Sequence, residues 1–160
     1  MKIQSLRTDD CIDEVINKYS ELVYRLAYAR VNSKSDADDI FQEVFIRYVR
    51  KNPEFASEEH RKAWLIKVTI NCSKKLWSSA WFRKTTPLED GVAFEMQETS
   101  DLHNTMAGLP IKYRTVIHLF YYEDLSIEEI SNILSIKPST IRTQLTRARA
   151  MLKDVLKGEF

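Results

Sequence analysis

Glycine and proline are scarce in this chain, at 3 and 4 among 160 residues. So few turn formers and helix breakers argue against a strand-rich fold with many tight turns, while plentiful Leu, Ile, Lys, Arg and Glu make long helices the expectation. Cysteine is as rare. Cys11 and Cys72 lie far apart, without a CxxC pattern or a ligand-spaced histidine. Neither a disulfide framework nor a zinc site is indicated, and both are expected to be buried, reduced fillers. No stretch approaches the roughly 18 apolar residues that span a bilayer, and none follows the first basic residue as a signal peptide would. A soluble, cytoplasmic protein with no direct membrane insertion is therefore expected.

Net charge is nearly absent as well, at +1, which excludes a uniformly basic nucleic-acid binder. The sum hides a strong local asymmetry. Residues 60–84 carry seven basic side chains (Arg61, Lys62, Lys67, Lys74, Lys75, Arg83 and Lys84) and no acid. Between Thr85 and Asn104 the pattern inverts to Glu89, Asp90, Glu95, Glu98 and Asp101, with no Lys or Arg. A basic block beside an acidic one suggests separate tasks.

Apolar residues recurring at three and four define the elements. Ile12, Val15, Ile16, Tyr19, Leu22, Val23, Leu26 and Ala27 mark a first helix over 12–31. Ser35 is expected to cap a second through the amide of Asp38; that helix runs to about Arg50 and buries Ala37, Ile40, Phe41, Val44, Phe45 and Tyr48. Asn52-Pro53 stops it. A third helix spans about Glu58 to Trp81, with Trp64, Leu65, Val68, Cys72 and Leu76 inward. These three predict a first domain over 1–84. Residues 85–104, with Pro87, Gly91 and no helical period, read as a linker.

A second domain is expected over 105–160. Leu109-Pro110 opens a helix with the stripe Tyr113, Val116, Ile117 and Phe120. Ser126-Ile127-Glu128-Glu129 is a capping box that starts a short helix. After the turn Ser135 to Pro138, a last helix buries Ile141, Leu145, Ala148, Leu152 and Val155. Helix, brief turn and helix outline a helix-turn-helix, and the fold class is all-α, two small helical domains on a flexible tether.

If Ile141, Leu145 and Ala148 face the core, then Ser139, Thr143, Thr146 and Arg147 face outward, with Arg142 and Arg149 on a flank. Short polar side chains and arginine suit a major groove, although an ordinary solvated helix face has the same composition. The third helix offers another surface, where seven cations interleave with Trp64, Trp77, Trp81 and Phe82 in a way that suits stacking on unpaired bases. Trp64 falls in the inward stripe; Trp77 and Trp81 are divided evenly between core and surface. Asp36, Asp38, Asp39 and Glu43 could be metal ligands, but acids in a first helical turn are explained by the helix dipole alone. Gln42 and Glu43 then form an exposed patch for a protein partner. His60, His103 and His118 stand apart from any nucleophile or base, so no catalysis is assigned to them.

The run Asp36-Ala37-Asp38-Asp39-Ile40-Phe41-Gln42-Glu43-Val44-Phe45 resembles the region-two helix of extracytoplasmic-function sigma factors of bacterial RNA polymerase. Ala63-Trp64-Leu65-Ile66-Lys67-Val68-Thr69-Ile70-Asn71 resembles that family's next signature. Leu109-Pro110, Tyr113-Arg114, Leu125-Ser126, Glu129-Ile130, Ser139-Thr140-Ile141-Arg142 and Arg147-Ala148-Arg149 are similar to its region four. The matches run in family order and cover nearly the whole chain.

That resemblance implies a three-to-four-helix region-two bundle joined to a helix-turn-helix region four, in a transcription initiation factor with no reaction of its own, no cofactor and no metal. Asp39, Gln42 and Glu43 would dock on the clamp coiled coil of the polymerase's largest subunit, and the flap of the second-largest subunit would be a further contact. Phe55 and Asn71 would line a pocket for a flipped base of the minus-ten promoter element, with Lys74 and Lys75 on the backbone. Ser139, Thr140, Arg142, Thr143, Thr146 and Arg147 would read the minus-thirty-five element. An anti-sigma protein, in this family often membrane-anchored, would be the inhibitor. Two positions depart from the pattern: Ser131 stands where alanine is usual, and Ser135 where glycine is, which matters if the turn is left-handed.

Two rivals remain open. An autonomous helix-turn-helix repressor or activator would need a self-complementary dimer face, and no spare heptad or apolar stripe supplies one. A metal nuclease built on Asp36 to Glu43 would lack a neighbouring His or Lys base.

Overall fold

A computed structural model of the chain describes residues 12–83, 106 and 108–158, with side-chain surroundings for 12–76, 106 and 108–154. All its helices fall within two compact units that divide at Thr85/Thr86. Among the described residues no helix is long and apolar enough to cross a membrane.

The first unit contains α1 (Ile12–Val31), α2 (Lys34–Lys51) and α3 (Glu58–Arg83), each packed on the other two. Val23, Leu26 and Ala27 of α1, Ile40, Val44 and Tyr48 of α2, and Leu65 of α3 share the core, as their spacing predicts, and Ile66 of α3, outside the expected stripe, joins them. Burying side chains of this kind stabilises by about 1.5–3 kcal/mol each. The cap of α2 differs from the expectation. Ser33, with extended backbone, accepts the amide of Asp36 at 3.3 Å, while Ser35 is exposed within the first turn. Asn32 is the reason. In the left-handed region at φ 49°, it donates its amide to Tyr28 O at 2.8 Å and closes α1 early enough for the next residue to begin α2. Asn52 repeats the device at φ 43° to end α2; asparagine tolerates this conformation better than most residues.

Polar side chains tie the unit where α1 meets the start of α3. Tyr19 donates its hydroxyl to Glu58 Oε2 at 2.5 Å, and Arg61 donates to Oε1 at 2.6 Å. Burial alone would raise the Glu58 carboxyl, but Tyr19, Arg61 and Lys18 outweigh it and hold the group below its usual value. Burial, followed by the Glu58 bond, pushes the Tyr19 hydroxyl well up. Deeper in, Arg30 reaches from α1 to Ser73 Oγ, which in turn donates to Ile70 O at 2.7 Å. A buried cation is tolerable there because it is hydrogen-bonded. Cys72 is a buried free thiol whose pKa burial pushes up, so it acts as a filler. Cys11 and the side chains of Trp77 and Trp81 lie outside the described residues.

The second unit contains α4 (Ile111–Ile117), a π-helical turn (His118–Tyr122), α5 (Ile127–Leu134) and α6 (Pro138–Gly158). The π turn was not legible in the stripe and changes one assignment. Widening the helix by a residue per turn moves the phase, so Leu119 takes the fully buried place expected of Phe120, which is only half-buried. His118 is buried too, stacked on Tyr122 with centroids 5.2 Å apart and with Nε2 3.4 Å from Glu123 Oε1. The capping box forms as predicted: the Glu129 amide donates to Ser126 Oγ at 3.1 Å and the Ser126 amide to Glu129 Oε1 at 3.2 Å.

Both departures from the family pattern meet in the turn between α5 and α6. Ser135 is left-handed, at φ 56° and ψ 43°, where glycine has no Cβ to clash. Ser131 braces this turn. Its carbonyl accepts the amides of Ser135 and Ile136, and its hydroxyl donates to Ile136 O, a bond that alanine lacks. Ser135→Gly should therefore stabilise the second unit by about 0.5–1 kcal/mol, since relief of the left-handed penalty exceeds the extra unfolded-state entropy of glycine. A thermal melt followed by circular dichroism checks it, the expected result being a higher midpoint with unchanged helix content.

Candidate nucleic-acid interface

The sharpest surface is on α6. Ile141, Leu145 and Ala148 are at most 1% exposed and anchor one face of the helix. That anchoring turns Ser139, Thr140, Arg142, Thr143, Thr146 and Arg147 to solvent, and all six are exposed. Thr143 and Thr146 donate their hydroxyls to Ser139 O and Arg142 O at 3.0 and 2.9 Å. With the hydrogen committed to the helix, each hydroxyl oxygen presents lone pairs outward. The face thus offers acceptors near its centre, flanked by the donors of Arg142 and Arg147, a combination that complements base edges and phosphates.

On α3, Lys67, Asn71 and Lys74 are exposed and share one side of the helix, with Lys75 beside them. Lys75 also borders a groove of about 510 Å³ lined by Asp39, Ile40, Glu43 and Arg47 of α2 and by Cys72 and Leu76 of α3. The structure therefore brings Asn71 and Lys74 together and places Lys75 on the flank next to the α2 acids. Phe55 requires a correction. Its side chain is 2% exposed and is enclosed by Tyr48, stacked with centroids 6.1 Å apart, by Trp64 at 5.9 Å and by the Arg61 guanidinium at 5.4 Å from the ring centre. A ring used up by the core cannot stack on a base. The neighbours Glu54, Ala56 and Ser57 are the exposed part of that loop.

Along α2, Asp39 and Gln42 are exposed, while Glu43 is half-buried and paired with Arg47 at 3.0 Å. The same side continues into Ile46 and Val49, which are 44% and 59% exposed. Positions 39, 42, 46 and 49 follow the three-four spacing of one helix face. Sequence reasoning left these two apolar residues unplaced, and the signal that finds them is that they fall off the buried stripe. An acid-and-amide half followed by an apolar half is a surface for a protein partner. Among the described residues, His, Cys, Asp and Glu nowhere gather in threes as a metal site requires.

The chain is similar to known proteins over both units. The sigma-70 region 2 family matches residues 15–83, and the sigma-70 region 4 family matches residues 99–152. The chain is 28% identical over 170 aligned residues to the ECF RNA polymerase sigma factor SigW of Bacillus subtilis (strain 168), an alignment that spans 92% of this chain and 90% of the relative. It is 28% identical over 152 residues to the RNA polymerase sigma factor SigV of the same organism, covering 90% of each. In fold it is similar to the sigma factor RpoE in its complex with the anti-sigma factor NepR from Bartonella quintana, with a TM-score of 0.73 at 19% identity over 94% of this chain and 98% of that one. CnrH, in complex with the cytosolic domain of CnrY, gives a TM-score of 0.68 at 19% identity, covering 92% of this chain and 88% of that one. The first family match takes in α2 and α3 whole and nearly all of α1; the second reaches through the exposed face of α6.

Proposed function

The chain belongs to the sigma-70 family, and within it to the extracytoplasmic-function sigma factors; from that premise we propose how its two units divide the work of an alternative sigma factor, which directs RNA polymerase to particular promoters. Such a factor is an initiation factor and not in itself an enzyme. Residues 1–84 act on the polymerase clamp and the minus-ten element, 85–104 tether, and 105–160 read the minus-thirty-five element. Asp39, Gln42 and Glu43 meet the clamp coiled coil, and Ile46 and Val49 extend that contact with apolar area. Asn71 and the exposed residues beside Phe55 receive the extruded base, while Lys74 and Lys75 hold the strand. Extrusion costs a few kcal/mol, which edge hydrogen bonds and stacking in a preformed site offset. Ser139, Thr140, Arg142, Thr143, Thr146 and Arg147 read the upstream duplex. Two modest sites on one tether gain affinity through effective concentration.

The observation that carries this reading is the pairing, in family order, of a region 2 match with a region 4 match whose last helix displays a continuous polar and basic face. An anti-sigma protein is the proposed inhibitor, held at the membrane or free in the cytoplasm; the RpoE and CnrH neighbours are both seen with partners, NepR and CnrY. The polymerase flap is a further proposed contact of the second unit.

Run-off transcription tests the proposal. Full-length protein added to core polymerase should start transcripts, from a promoter in a genomic library, that core polymerase alone does not make. Val49→Asp should reduce that output roughly tenfold or more, because a charge is forced into a desolvated contact, while leaving the melting temperature in place, since Val49 is exposed. Tight binding to a palindrome without polymerase, and no transcripts with it, would instead identify an autonomous repressor.

A further inference from the structure

Arg149 lies one heptad beyond Arg142, about 10 Å along the same flank of α6, and is exposed. Its side chain is nonetheless held. Nε donates to the Tyr121 hydroxyl at 2.6 Å, and the guanidinium lies 5.7 Å from the centre of the Phe120 ring and 5.5 Å from that of Tyr121. The two rings meet edge to face at 5.0 Å. Both come from the π-helical turn, the widened segment that lifts Phe120 partly and Tyr121 half out of the core; Tyr121 is 51% exposed. A large exposed tyrosine gains little from burial where it stands. What it does is restrict a cation.

We propose that Phe120 and Tyr121 form a positioning platform that presents Arg149 as a preformed phosphate clamp at the edge of the DNA-reading helix; the inference rests on the reading of α6 as that helix. A free arginine loses much rotamer freedom when it binds a phosphate, and a side chain already restrained loses less. Engaging Nε leaves the Nη donors for phosphate oxygens. Flat aromatic faces restrain the guanidinium by cation–π attraction without blocking its edge. Arg142, Thr146 and Arg149 then form one line, base contacts first and the backbone contact last, which sets the register of the helix in the groove.

The test is a double-variant cycle on promoter binding by the reconstituted holoenzyme, measured from about 50 to 200 mM salt. Arg149→Ala should lower the slope of log affinity against log salt by about 0.9, the signature of one lost phosphate contact. Tyr121→Ala should weaken binding about three- to tenfold in the wild-type background and not at all beside Arg149→Ala. Tyr121→Phe, which keeps the ring and the packing, should give a smaller loss that likewise vanishes when Arg149 is absent. An equal loss from the Tyr121 variants in both backgrounds would show a merely structural brace and overturn the platform. An unchanged salt slope for Arg149→Ala would overturn the clamp. Arg147→Ala is the control: if it weakens binding while the Arg149 and Tyr121 variants do not, only this inference falls, and if none of them has an effect, the DNA-reading assignment of α6 falls with it.

Discussion

Phe55→Ala should cost the first unit about 3–5 kcal/mol, as deleting a packed aromatic ring does when its surroundings cannot collapse into the space. The ring is 2% exposed, and each of its neighbours is itself held elsewhere. Tyr48, 0% exposed, is packed into the core from α2, Trp64 lies on α3, and Arg61 is tied to Glu58 at 2.6 Å. None can move inward without breaking another contact. Small domains are stable by about 5–15 kcal/mol in total, so the loss is a large fraction of what the unit has. The thermal transition of the first unit should fall steeply, and promoter opening should fail with it. Phe55→Leu, closer in volume, should cost far less. Were the ring instead a base-stacking surface, alanine would abolish opening and leave the melt untouched. Separating the two requires only that melting and run-off transcription be measured on the same variants.

Some placements in this fold follow from local sequence alone and others do not. The burial of Val15, Tyr19, Leu22 and Val23 could be read directly because a continuous helix preserves its phase, and Ser126 to Glu129 because a capping box is a local hydrogen-bond exchange needing no tertiary partner. Phe55 sits in a connection between helices, without a period, where nothing local distinguishes a ring directed inward from one directed at a ligand. Phe120 failed for a different reason. A π turn inserts one residue and resets the phase, and the side chain at 119, not 120, then meets the core. Ser33 and Ser35 present the same grammar, each followed three residues later by an aspartate. What decided between them was the left-handed exit of α1 at Asn32, a backbone feature that composition does not reveal. Ile46 and Val49 were visible as letters but not as a surface, because their meaning depends on knowing which side of α2 is already occupied.

In the turn between α5 and α6 two unusual residues act together. Each taken singly is a departure: a serine where alanine is usual, and a serine where glycine is. In the structure the hydroxyl of Ser131 bonds across the same turn that Ser135 enters with a left-handed backbone. A strained position and the brace that retains it lie four residues apart. The turn's geometry matters to function because it fixes where α6 begins, and hence which residues of α6 are turned outward.

Arg142→Ala combined with Arg147→Ala should bring the second large loss, roughly tenfold or more per arginine in promoter binding by the holoenzyme, because a good bidentate contact to a base is worth about 1–3 kcal/mol. Both side chains are exposed, so the melting temperature should hardly move. Core polymerase binding should persist through the α2 face of the first unit, and a pull-down on core enzyme measures this separately from promoter affinity. The single variants carry more information than the pair. Arg142 and Arg147 lie on opposite flanks of the row formed by Ser139, Thr143 and Thr146, so they need not do the same job. An arginine that grips a base edge should, when removed, relax specificity at one base pair and leave the salt slope nearly intact. One that grips phosphate should weaken binding to every sequence alike and lower the slope by about 1. Scanning each variant against the single-base substitutions of the upstream element therefore assigns base or backbone to each side chain. Loss of core-polymerase binding in step with promoter binding would count against the division of labour between the units.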